Sequence, residues 1–212
     1  MKAVIISGGN APSLELIKKQ IFEDTVIICA DSGADCLYEY NLTPHYIIGD
    51  LDSISKKCLE FFKKKEQIKF DIYPSHKDFT DTYLALSKAM ELKCDEIVFL
   101  GCTGTRMDHF LGNLGLLKRC MDNNIKASIM DDNNKIIMTD KDMVIEGEKN
   151  SCFSLQAFGG EVHALSIRGC KYQLHNYDLF PEDSLTVSNE FIDSKVDISF
   201  SSGILLVMFC SD

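Results

Sequence analysis

Strand-sized apolar runs and helix-period segments alternate through the first 133 residues, and this alternation constrains the fold more than any other feature of the chain. The runs fall at 3–7, 26–30, 46–48, 70–73, 97–100 and 127–130. Between the first two, Leu14, Ile17 and Ile21 share one face of a helix that starts at Ser13, and further helices are expected over 34–41, 55–65, 80–92 and 109–122. Strands separated by helices cannot close as tight hairpins. They pair in parallel, with the helices packed on the sheet faces.

After Asp131-Asp132-Asn133-Asn134 the helical period disappears. Val196-Asp197-Ile198-Ser199-Phe200 alternates apolar with polar, as expected of a strand with one buried and one wet face, and Phe153, Leu155 and Ala157 repeat the pattern. More strands are expected near 143–146, 162–168, 185–188 and 203–210, with turns at Gly159-Gly160 and Ser201-Ser202-Gly203. The expected architecture is an α/β N-terminal domain with a mostly parallel sheet over 1–133, followed by a small all-β, sandwich- or barrel-like domain over 134–212.

Charge and composition exclude some function classes. A net charge of −10 argues against nucleic acid as a partner. No run approaches the ~20 apolar residues that cross a bilayer, so no membrane partner is expected. Met1-Lys2 leads directly into the first apolar run, which reads as a cytoplasmic protein. The nine cysteines include no CxxC pair and several lie in apolar runs. They read as small buried hydrophobes in a reducing compartment, not as zinc ligands or disulfides.

The candidate chemistry gathers where the parallel strands end, the edge at which open α/β sheets bind ligands. Gly49-Asp50-Leu51-Asp52-Ser53 follows the run 46–48, and residues two apart in extended chain point the same way. Asp50 and Asp52 can therefore face one hard cation, or stand as two solvated loop acids. Asp31 and Gly33 lie in Ala30-Asp31-Ser32-Gly33-Ala34, at the exit of another strand. Lys77-Asp78-Phe79-Thr80-Asp81 opens a helix, so Asp78 and Asp81 read either as ligands or as helix-start acids. Acids at successive strand exits repel one another unless neutralised, and Mg2+ prefers carboxylates, water and phosphate oxygens. A fourth segment, Gly101-Cys102-Thr103-Gly104-Thr105-Arg106-Met107-Asp108-His109, runs from a strand into a helix. Its backbone N–H groups suit phosphate, and Arg106 can hold phosphate oxygens bidentately. The alternative for Arg106 is a surface side chain, and for Asp108 a helix N-cap.

In this order and spacing, these motifs resemble the thiamine pyrophosphokinase family. The resemblance continues through Gly159-Gly160-Glu161-Val162, Gly169-Cys170-Lys171-Tyr172 and Ser188-Asn189-Glu190-Phe191, and ends at Ser202-Gly203-Ile204-Leu205-Leu206. Thr105, Leu51 and Cys170 depart from the family's frequent glycine, phenylalanine and leucine. None of these departures removes a carboxylate or the arginine. The resemblance implies transfer of pyrophosphate from ATP to the thiamine hydroxyl, giving thiamine diphosphate and AMP. It implies Asp50, Asp52, Asp78 and Asp81 as Mg2+ ligands and catalytic groups together with Arg106. Asp31, Gly33, Lys77, Gly101, Thr103, Gly104, Asp108 and His109 would hold the ATP side. Ser188 and Asn189 match the thiamine-side motif, although by themselves they read more readily as a polar turn. The implied assembly is a homodimer with a shared active site. A pyrophosphokinase for a pterin alcohol and a non-catalytic thiamine diphosphate or nucleotide sensor are the rival readings.

Overall fold

A computed structural model describes residues 1–211 and separates into two compact units, Met1–Asp132 and the chain from Asn133 onward. In the first unit strands and helices alternate: β1 (Lys2–Ile6), α1 (Leu14–Gln20), β2 (Thr25–Ala30), α2 (Gly33–Glu39), β3 (Tyr46–Gly49), α3 (Lys56–Lys63), β4 (Lys69–Ile72), α4 (Asp81–Glu91), β5 (Glu96–Leu100), α5 (Met107–Asp122) and β6 (Lys126–Met130). Hydroxyl side chains set three of the helix starts. Ser13 Oγ accepts the Leu16 N–H, Ser55 Oγ the Cys58 N–H and Thr80 Oγ1 the Tyr83 N–H, each satisfying a donor that the helix leaves open. The run Lys63-Lys64-Lys65 closes α3, where cations offset the helix dipole.

The six strands of this unit pair in parallel in the order β6-β5-β1-β2-β3-β4. From β1 the chain builds outward through β2, β3 and β4, then returns to place β5 on the other side of β1. The strand order therefore reverses between β1 and β5, where such sheets open a crevice. Ile5, Ile28, Ile47, Ile48 and Phe99 are fully buried, as expected for strands covered on both faces.

The second unit is antiparallel and contains β7 (Asn134–Thr139), β8 (Met143–Glu146), β9 (Cys152–Ala157), β10 (Val162–Arg168), β11 (Leu174–Leu179), β12 (Asn189–Glu190), β13 (Lys195–Ser199) and β14 (Leu205–Cys210). One sheet runs β12-β9-β14-β7 and the other β11-β10-β13-β8. A single apolar cluster that includes Phe153, Leu155, Val162, Ile167, Phe191, Val196, Ile198 and Val207 joins their inner faces. The expected fold class, α/β followed by a small β sandwich, is the one observed.

Strands β7, β11 and the two-residue β12 were not anticipated, and one expected strand is absent. Residues 185–188 form a turn, with the Val187 N–H donating to the Ser184 carbonyl. In this turn Thr186 is the buried side chain, while Leu185 and Val187 are exposed. The Thr186 hydroxyl donates to the Leu155 carbonyl and its own carbonyl accepts the Leu155 N–H. The apolar residues are thus on the wet side of a segment held by hydrogen bonds.

Candidate active site

The loops that leave β1 and β5 are joined as a continuation of the sheet. The Ser7 N–H donates to the Leu100 carbonyl at 2.9 Å, the Gly9 N–H to Gly101 at 2.8 Å and the Asn10 N–H to Thr103 at 2.7 Å. A Cβ on Gly9 would lie 2.1 Å from the Thr103 carbonyl oxygen, so only glycine permits this approach. Underneath, the hydroxyls of Ser7 and Thr82 are 2.9 Å apart, and Asn113 of α5 donates to the Cys102 carbonyl. These contacts form one wall of a cleft of about 680 Å³ within the first unit.

The lining of the same cleft also carries the acids. One carboxylate oxygen each from Asp31, Asp50 and Asp52 fall within 4.8 Å of one another. Asp31, at the exit of β2, is buried and holds a left-handed backbone at φ 46°. Aspartate and asparagine tolerate this conformation better than most side chains, and several other residues of the chain share it. Its Oδ1 is buried with no hydrogen-bond partner. Burial, countered by the Ser53 hydroxyl and reinforced by Asp81, raises its carboxyl above the ordinary range. Gly49 leaves space at the centre, since a Cβ there would stand 2.9 Å from Asp81 Oδ1 and 3.2 Å from the Asp31 Cβ.

Lys77 reaches into this cluster, with its Nζ 2.9 Å from Asp81 Oδ1 and 3.3 Å from Asp50 Oδ2. Burial opposes the charge on Asp50, but the Asp52 N–H and the Lys77 ammonium outweigh it and hold the carboxyl below its usual range. Burial likewise acts against the Lys77 ammonium, and Asp81 and Asp50 override it to raise that group.

A hard divalent cation fits this donor set. Three carboxylates converge, one of their oxygens is buried and unsatisfied, and no soft ligand is among them. The set differs from the expected four. Asp31 belongs to the converging trio, Asp81 is tied to Lys77, and Asp78 is exposed on the lining outside the trio. Neither acid caps the helix, because Thr80 does so.

Gly101, Thr103, Gly104, Arg106 and His109 line the cleft. Gly101 and Gly104 take φ +63° and +155°, and Thr103 carries a buried hydroxyl oxygen without a partner. Two expected ATP-side residues are placed otherwise. Gly33 is buried away from the lining at the start of α2, where a Cβ would meet the Ile6 carbonyl oxygen at 2.0 Å, so this glycine serves packing. Asp108 pairs with the Arg106 fork at 2.6 and 3.2 Å, and this bond holds its carboxyl at about 2. Both side chains of that pair are largely exposed. In the second unit, Asn189 is buried and its amide is fully used. Nδ2 donates to the Tyr172 carbonyl, and Oδ1 accepts the Tyr172 and Glu190 N–H groups. It acts as a structural brace, and of the expected pair only Ser188 is exposed.

The sequence reading missed Ser7, Asn10, Ser53, Ser75, Thr82, Asn113 and Phe79, which also line the cleft. Phe79 is half exposed and stacks on Tyr83 at 4.3 Å between ring centroids. An exposed aromatic between two acids was the one available signal. The small polar residues carry none until the loops are seen together.

Two family models match the chain. "Thiamin pyrophosphokinase, catalytic domain" covers residues 17–129 and "Thiamin pyrophosphokinase, vitamin B1 binding domain" covers 135–205. The chain is 34% identical to thiamine pyrophosphokinase of Bacillus subtilis, over the full length of both. A crystal structure of a Bacillus subtilis thiamine pyrophosphokinase superposes with a TM-score of 0.91 at 33% identity, again covering all of both chains. One from Geobacillus thermodenitrificans superposes at 0.86 with 29% identity, covering 100% of this chain and 98% of that one. With its cleft built at the strand-order reversal and both family models matched in sequence, the chain belongs to the thiamine pyrophosphokinase family.

Proposed function

We propose that the protein transfers a pyrophosphoryl group from ATP to the hydroxyl of thiamine, releasing thiamine diphosphate and AMP. The observation that carries this reading is the trio Asp31, Asp50 and Asp52 lining one cleft together with the Gly101–Gly104 loop, in a chain of this family. Mg2+ bound by the trio would neutralise phosphate charge and polarise the β-phosphorus. Asp78 and Asp81 stand beside it on the lining. The N–H groups of 103–105, the Thr103 hydroxyl and Lys77 would serve the phosphate oxygens, as would Arg106 on release from Asp108. Transfer of this kind depends chiefly on positioning and charge neutralisation, which is what donors and acids gathered on one lining supply.

The second unit matches the vitamin B1 binding model, which supports thiamine as acceptor and disfavours the pterin alternative. We assign Ser188 to the thiamine side, place the enzyme in the cytoplasm and take it to act as a homodimer. In that dimer each site would combine the acids of one chain with the Ser188 surface of its partner. The test is to incubate the protein with ATP, Mg2+ and thiamine and to separate the nucleotides. AMP should form only when thiamine is present, in step with thiamine diphosphate. Thiamine-stimulated ADP without AMP, or inorganic phosphate alone, would overturn the reading.

A further inference from the structure

Lys77 lies where the acids meet. It precedes α4 in a segment outside any helix or strand, and its ammonium is 2.9 Å from Asp81 and 3.3 Å from Asp50 with only 13% of the side chain exposed. Asp50 therefore has two claims on it. It is one of three carboxylates whose oxygens converge within 4.8 Å, and it is also a partner of the lysine. A divalent ion ligated by Asp50 at about 2.1 Å would stand only a few ångströms from that ammonium. Two cations so close, with little water between them, repel strongly.

We infer that Lys77 is the resident counter-cation of the ligand-free acid cluster and that it transfers to phosphate oxygens when metal and nucleotide enter together. The inference rests on the proposed function only in taking the incoming anion to be a nucleotide polyphosphate. Arg106 cannot take the same role, because its fork is bound to Asp108 and largely exposed. Lysine suits it, since a single point charge on a flexible four-carbon stem can change partners without a fixed bidentate geometry. The consequence is a binding coupling. Metal alone must displace an ammonium that has nowhere better to go, whereas nucleotide offers that ammonium a new partner. Each ligand thus raises the affinity for the other by the same factor.

The experiment measures Mn2+ binding to the nucleotide-free protein by electron paramagnetic resonance of the unbound ion. Lys77→Met should bind Mn2+ at least ~10-fold more tightly than the unaltered chain, within the usual range of such couplings. Lys88→Met removes the same charge at a site outside the cleft, where Lys88 pairs with Asp71 and Glu91, and should change the affinity less than ~2-fold. An ATP analogue with a methylene between the α and β phosphorus should tighten Mn2+ binding in the unaltered chain and do so much less in Lys77→Met. An unchanged or weaker affinity in Lys77→Met, no measurable binding by it, or an equal gain in Lys88→Met overturns the inference. Should Lys77→Met fail to fold, the unaltered chain decides the matter. Acetylation of Lys77 by acetic anhydride, read by mass spectrometry, must accelerate when Mn2+ saturates the cluster without nucleotide, and an unchanged rate overturns the inference. A chain that meets these expectations but makes no thiamine diphosphate would refute the proposed activity and leave the role of Lys77 standing.

Discussion

Asp31 combines three costs in one side chain: a left-handed backbone, burial and an unsatisfied carboxylate oxygen. An asparagine in its place would keep the size, tolerate the backbone and remove one of several crowded charges. Asp31→Asn is therefore expected to raise the midpoint of thermal unfolding without metal, by about 2–4 °C if ~1 kcal/mol is relieved, while turnover falls. A lower midpoint measured by calorimetry would show that the charge stabilises the fold. Asp52 and Asp78 are exposed, so Asp52→Asn and Asp78→Asn should leave stability within ~0.5 kcal/mol. Their turnover at saturating Mg2+ should fall ~100-fold or more if they act on the transferred group. Near-normal rates in both would make them solvated loop acids. At this scale the sequence was informative for acids and poor for what surrounds them. Spacing brought Asp50 and Asp52 together, but nothing in the order of residues says that Asp31 would be drawn inward while Asp78 stays outside. Asn189 reads as a polar turn residue, and only its burial beside Tyr172 shows that it is consumed as a brace.

At the level of elements, the parallel half was readable because its central strands are buried on both faces and read as unbroken apolar runs. The antiparallel half was less so. β11 reads Leu-His-Asn-Tyr-Asp-Leu, and its pairing with β10 shifts register twice, so period-2 alternation is lost. The apolar residues at 185 and 187 suggested a strand because they alternate, yet there it is the threonine that is buried. Loop pairing was equally hidden, since the sequence separation between 9 and 101 gives no local signal. It makes a definite demand, however. Gly9→Ala should force the loop after β1 away from Thr103, because the clash is with backbone. The expected result is a loss of at least ~1 kcal/mol in stability together with a marked loss of nucleotide binding, measured by denaturant unfolding and by titration with the methylene analogue. Unimpaired binding in a stable Gly9→Ala protein would mean that the wall tolerates separation.

For the whole molecule, seven cysteines are buried, Cys152 is half-buried and Cys210 is exposed. Burial pushes Cys36 up to about 11 and Cys58, Cys102 and Cys120 up to about 12. These folded-state values lie above that of an unfolded thiol, about 8.5. The stability they contribute is therefore fully present below that value and is lost as pH rises toward 11–12. Unfolding free energy should decline steadily above pH ~9. A thiol reagent at pH ~8, just below the unfolded thiol's range, should modify Cys152 and Cys210 rapidly and the buried set only on unfolding. Rapid modification of all nine would contradict the burial. The proposed shared-site dimer has its own test. Asp78→Ala and Ser188→Arg chains, each inactive alone, should recover about a quarter of wild-type activity after co-refolding, because half the dimers are mixed and each carries one intact site. Mixed dimers without recovery would confine the site to one chain.

The hydrogen-bonded pairing between the loops after β1 and β5 also determines how quickly the cleft can breathe. The amides of Ser7, Gly9 and Asn10 are donors in a ladder continuous with buried strands, so their protons should exchange with solvent only when the central sheet itself opens. Active-site backbone commonly belongs to the least protected part of an enzyme, whereas here this part of the cleft lining would share the slow exchange of the core. Substrate arrival would add little protection at those three positions. The exchange changes caused by nucleotide should instead concentrate around 75–80, a segment of the lining outside regular structure that carries Lys77 and Asp78.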